Sequence, residues 1–335
     1  MFQFGTADAS QSMMLRRMGA QLKNNVSKLT TELSSGQHLD KPRALNGALA
    51  HLAHIEHGLR LSARHIETAN FLSTIVSAQQ EALGRLGEIT QTLALDFQIS
   101  KQGPDSLVMS DATARARDGF ADVIGLLNTK VAGRHLFSGA AGDQRPYADP
   151  DVILNALLTS LPATSSTADI RDHVQAWFAE GGGFDTIAYL GGAEASTGID
   201  LGGGVSVQPG ISGADPALRK SLAGLALGAI GEALTPRLSA PERRSLLDMS
   251  AEALFGAEAS RIALAAQTGA MEARIDEAKT RAQSTGATLE IARTELLAAD
   301  PYQTATALEA ATQRLDALYL VTARLSRLSL TEYMR

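Results

Sequence analysis

The sequence predicts a mainly α fold of long helices packed side by side, interrupted by one small β-rich insert. Three observations carry this. Ala and Leu supply most of the apolar mass while aromatics make up only 4% of the 335 residues, which suits helix-on-helix packing better than a sheet sandwich. Apolar residues recur at heptad-like steps near both ends of the chain. Eleven of the thirty glycines fall between Gly181 and Gly213, where helix periodicity gives way to turn-and-strand grammar.

The first helix carries Leu15, Met18, Leu22, Val26, Leu29 and Leu33 at steps of three and four residues, a stripe along one face. Ser34-Ser35-Gly36 ends it, with Gly36 suited to the left-handed position after a helix C-terminus. After a polar break over Gln37–Arg43, a longer helical pattern runs from about Ala44 to Ile99, with Leu52, Ile55, Leu59 and Ile66 on its early stripe. Gly103-Pro104 breaks it, and Asp105 is placed to cap a helix reaching about Val131.

Between 141 and 214 lies the expected insert, with Thr186–Leu190 and Val205–Val207 as its β-like pieces. Asp215-Pro216 is an N-cap followed by proline at the first helical position, starting a helix to about Leu234. Pro236 and Pro241 frame a linker, and a long helix follows to about Ala298. Asp300-Pro301 repeats the cap-and-proline start. The last helix carries Leu308, Leu315, Leu318, Leu325 and Leu328 at steps of seven and three, a second heptad stripe at the opposite end of the chain. Two readings fit the two stripes: an intramolecular coiled-coil pair, or an assembly element in which the terminal helices also meet neighbouring subunits.

The balance of 30 Lys+Arg against 36 Asp+Glu gives a net charge of −6, without the basic excess or stripe of a nucleic-acid binder. No cysteine is present, which removes disulfides, thiolate metal sites and a cysteine nucleophile. The N-terminus has no continuous apolar stretch of a secretory signal, and no window approaches a membrane span. His51, His54, His57 and His65 fall on one predicted helix, but without the paired-histidine-and-glutamate spacing of a zinc protease. They read as polar surface. The triple-glycine runs at 181–183 and 202–204 lack the context of a phosphate cradle, Asp149-Pro150-Asp151 lacks the spacing of a calcium loop, and no nucleophile elbow or carboxylate pair is present. No catalytic, cofactor-binding or metal site is expected.

Several segments resemble one family. Leu33-Ser34-Ser35-Gly36 after a heptad helix is similar to the N-terminal signature of bacterial flagellins and hook-associated proteins. Leu127–Tyr147, with Gly133, Leu136, Phe137, Ser138 and Gly139, resembles the segment in which hook–filament junction proteins (the FlgL family) turn from helix into their central domain. Tyr189-Leu190-Gly191 with Val205–Leu225, Gln267–Ala270 with Arg274-Ile275, and Ala307–Arg335 resemble further parts of that family in the same order. Asp40-Lys41-Pro42-Arg43 departs from the acidic loop usual after the Ser-Gly.

The resemblance implies a long antiparallel helical rod of flagellin type. Residues 1–40 with 300–335 would form an inner-tube coiled coil, 41–140 with 215–299 the rod, and 141–214 an outward β-rich domain. It implies a structural junction adaptor, with a hook-associated protein on one side, flagellin on the other, and neighbouring copies of itself alongside. An export chaperone would escort the chain unfolded through the flagellar secretion channel to the cell exterior, without a cleaved signal. The filament-forming flagellin is the alternative. Neither nucleic acid nor membrane is an expected partner. The assembly contacts would be the two stripes, Leu15 to Leu33 and Leu308 to Leu328, and the terminal helices of an isolated monomer would fray.

Overall fold

The computed structural model describes residues 4–45, 49–100, 106–162, 166–192, 198–208, 210–234 and 237–333. The chain is mainly α with two small antiparallel strand pairs. Its helices are α1 (Phe4–Ser35), α2 (Lys41–Ala44), α3 (Leu49–Ser100), α4 (Ser106–Leu127), α5 (Pro150–Ser160), α6 (Thr167–Phe178), α7 (Pro216–Ala229), α8 (Ala240–Leu297) and α9 (Pro301–Tyr333). The strands are β1 (Lys130–Val131), β2 (Arg134–His135), β3 (Ile199–Asp200) and β4 (Ser206–Val207). Two compact units divide the chain, one of 1–63 with 283–335 and one of 64–282.

In the first unit α1 packs along α9. The end of α1 follows the sequence expectation. Gly36 takes φ 69° and its N–H donates to the Glu32 carbonyl at 2.9 Å, closing the helix with a left-handed residue. The chain beyond it pairs with the α8–α9 junction: the His38 N–H donates to the Leu297 carbonyl at 2.9 Å and the Ala299 N–H to the Gly36 carbonyl at 2.8 Å. Glu32 anchors this turn from within. It is buried, accepts the Leu39 N–H at 2.9 Å and lies 3.8 Å from the Lys28 ammonium. Asp300 caps α9 through Oδ1, which accepts from the N–H groups of Tyr302 and Gln303. These two caps set where α1 stops and α9 starts.

In the second unit one apolar core joins α3, α4, α5, α6, α7 and α8 around Phe97, Phe120, Ile153, Trp177, Leu222 and Leu254. A smaller cluster seats the β3–β4 hairpin, through Leu201 and Val207, on Leu72 and Val76 of α3 and Ile275 of α8. The hairpin turn runs through Gly202, Gly203 and Gly204, all at positive φ, a run of backbone that only glycine adopts cheaply. These glycines are turns, as the sequence implied.

Several elements differ from expectation. α4 stops at Leu127, short of Val131, because Ala132 and Gly133 both take positive φ and turn the chain into the β1–β2 hairpin. α7 ends at Ala229 rather than Leu234. Within 141–214 the expected Val205–Val207 piece supplies β4, which pairs with β3 rather than with Thr186–Leu190, and α5 and α6 accompany the pair. Thr186–Leu190 is not a strand: Phe184–Ala188 is a π-helical turn, closed by the Tyr189 N–H donating to the Phe184 carbonyl at 2.9 Å, with Phe184 and Ala188 both in the core. Gly103-Pro104, Asp105 and Pro236 lie outside the described residues.

Candidate assembly surface on the terminal helices

The structure brings the two heptad stripes together. Leu15, Leu22, Val26 and Leu29 of α1 are half-buried, as are Leu308, Leu315 and Leu318 of α9. The seam is close-packed at Gly19, where an added Cβ would meet Leu318 Cδ2 at 3.4 Å. Ala311 and Thr304 are buried further along α9. Met18, Leu33 and Leu325 stay exposed. Leu328 lies in α9, with its side chain outside the described residues.

A second set of apolar side chains, absent from the heptad reading, faces away from the seam. Met13 is 74% exposed, Leu320 63% and Tyr302 82%, joined by Met14, Tyr319 and Val321. Large apolar groups in water on both helices of a pair make this the candidate surface for a partner. Heptad counting misses them because they occupy the positions between the seam residues. The sequence signal was present in Met13-Met14 and Tyr319-Leu320-Val321, apolar runs too dense for a two-position stripe.

His51, His54 and His57 are exposed on α3 and His65 is half-buried. Among the described residues no group of three or more His, Asp or Glu is placed to hold a metal ion, and no helix is long and apolar enough to cross a membrane.

The second unit holds a cleft of about 1070 Å³ bordered by α6, α7 and α8, with Val174, Phe178, Leu227 and Ala253 among its apolar lining. At one end Arg219 lies 4.4 Å over the Phe184 ring. Its guanidinium donates to Asp185 and to the carbonyls of Ala214 at 2.7 Å and Ala179 at 3.2 Å. Burial by itself would raise the Asp185 carboxyl. The hydrogen bonds from Arg219 and from the Gly181 N–H, with the Arg219 charge, outweigh it and hold the group below the usual carboxylate range. Together these contacts of Arg219 tie α7 to the segments around Ala179 and Asp185 and brace this end of the cleft.

The fold and its surface define a class: a mainly α protein whose N- and C-terminal helices pair with each other and expose apolar side chains on their outer sides. No protein-family model matches the chain, and no curated protein matches it. A solved structure described as a flagellar hook-associated protein from Vibrio parahaemolyticus shares the fold. The likeness covers 74% of this chain and 96% of that one, at a TM-score of 0.52 and 14% identity.

Proposed function

We infer that this chain is a structural, non-enzymatic subunit of the bacterial flagellum, of the hook-associated class, acting as the adaptor between hook-associated protein and flagellin filament. The observation that carries the reading is the pairing of α1 with α9 while Met13, Leu320 and Tyr302 remain in water. A subunit that functions by stacking needs such a face, whereas an enzyme needs a reactive cleft. The shared fold with a structure described as a hook-associated protein supports the flagellar part, and the ordered family-like segments from Leu33–Gly36 to Ala307–Arg335 support the junction part.

In this reading residues 1–40 with 300–335 line an inner tube, 41–140 with 215–299 form the rod, and 141–214 faces outward. The chain leaves the cell unfolded through the flagellar secretion apparatus, escorted by an export chaperone, and ends outside the cell between hook and filament. Its terminal helices contact neighbouring copies of itself.

Immunogold labelling of intact flagella with an antibody to the 141–214 segment tests this. A single band at the boundary of hook and filament is expected. Label along the whole filament would make the chain a flagellin, and absence of label from flagella would refute the flagellar reading.

A further inference from the structure

The paired terminal helices carry charges that join no ion pair among the described residues, and their spacing matches. Arg16 and Lys23 lie seven residues apart on one flank of α1, and Glu309 and Asp316 lie seven apart on α9. All four are exposed. Among the described residues none of them joins an ion pair, whereas Lys28, the next cation along α1, is held by Glu32 and Asp40. Seven residues are about two helical turns, roughly 10.5 Å, so each flank presents two like charges at the same interval.

The four are out of step inside one molecule. Gly19 faces Leu318 and Gly36 pairs with Ala299, so α1 and α9 run antiparallel in a register that puts Arg16 within about one residue of Leu320 and Lys23 within about one residue of Gln313. Both acids lie about four residues, or roughly 6 Å, out of step. A second copy displaced by that distance along the helix axis brings Arg16 level with Asp316 and Lys23 level with Glu309 at once. The same displacement brings Met13, 74% exposed, beside Leu320, 63% exposed. Arg314, the nearby cation of α9, lies roughly 160° round the helix from Asp316 and does not oppose the contact.

We propose that neighbouring copies dock head-to-tail, the Met13/Arg16/Lys23 flank of α1 against the Glu309/Asp316/Leu320 flank of the next copy's α9, staggered by about one helical turn. This rests on the assembly reading above and adds to it the faces and the register. Exposed ion pairs contribute little affinity, but opposed rows of charge set register and suppress wrong pairings.

The absence of native cysteine makes the register directly measurable. Full-length Lys23→Cys is mixed with full-length Glu309→Cys under mild oxidation at low salt, beside a second mixture of Lys23→Cys with Gln313→Cys. The first pair should form disulfide-linked dimers at least about tenfold faster. Arg16→Glu/Lys23→Glu and Glu309→Lys/Asp316→Lys should each lose wild-type self-association in sedimentation and regain it when mixed. Faster linking through Gln313, or charge reversals without effect on a wild type that does associate, would overturn this interface and leave the assembly reading standing. A wild type that stays monomeric with and without filament seeds would overturn both.

Discussion

The Tyr147 hydroxyl donates a 2.7 Å hydrogen bond to the Gly213 carbonyl across 66 residues of chain. Beside it the Gly213 N–H donates to the Phe137 carbonyl at 2.6 Å, and Ser138 bridges Ser212. The chain therefore leaves α4 and returns to α7 through one buried knot, with Tyr147 packed edge-on to Phe184 and Tyr189. Tyr147→Phe keeps the ring and strands a buried carbonyl, at a cost of about 1–2 kcal/mol. Gly213→Ala should cost more, about 2–3 kcal/mol, because its Cβ would sit 2.9 Å from the Phe137 carbonyl oxygen and 2.8 Å from both the Tyr147 hydroxyl oxygen and Tyr189 Cε2. Urea unfolding of the two variants checks the order.

The knot also shows what was legible in advance. The motif Leu136-Phe137-Ser138-Gly139 stands out by family resemblance and the glycine-rich return by its change of grammar, but their pairing is long-range, and no local pattern reports it. α5 and α6 were missed although their start signals are present: Asp149-Pro150 opens α5, and Ser166 with Asp169 forms a capping box on α6. The density of glycine around them outweighed two short helical signals. The long helices were legible because stripe, cap and breaker agreed, as at Gly36 and Asp300. On the surface, periodicity gave the stripes of Leu15, Leu22, Leu315 and Leu318, and the structure shows α1 and α9 paired along them. The outer face of Met13 and Leu320 does not follow from periodicity, since exposure is set by which helix becomes the partner.

The Arg219–Asp185 pair should make the second unit acid-sensitive. The Asp185 pKa is depressed in the fold, so its contribution is present above the unfolded carboxylate value and is lost as pH falls through the folded value. Asp185→Asn should lower stability at neutral pH by up to about 3 kcal/mol, since it leaves a largely buried guanidinium without its charge partner. It should also flatten the acid limb of the stability curve. Thermal melts of both proteins between neutral and strongly acidic pH measure this.

Two substitutions separate seam from outer face. Leu318→Asp places a charge against Gly19 of α1 and should loosen the terminal pair by about 2 kcal/mol, while the core around Phe120 and Leu254 stays folded. Leu320→Asp sits in water in the isolated chain and should leave its melting curve unchanged while still abolishing assembly. Hydrogen exchange on each variant resolves the two units, and sedimentation reads the association.

Gly36→Val should cost about 1–2 kcal/mol, because a β-branched residue is forced to a positive φ. The loss should appear in the turn that joins residues 36–38 to 297–299, as faster exchange of the His38 and Ala299 amides.

The central claim is that this chain joins two other assemblies rather than building a filament of its own. Negative-stain microscopy of the purified protein, alone and with isolated hook ends and flagellin, addresses it directly. The account expects no long filaments from the protein alone, saturable addition at hook ends bearing hook-associated protein, and flagellin growth only beyond that layer. Long filaments grown from the protein by itself, or flagellin growth that proceeds equally well without it, would contradict it.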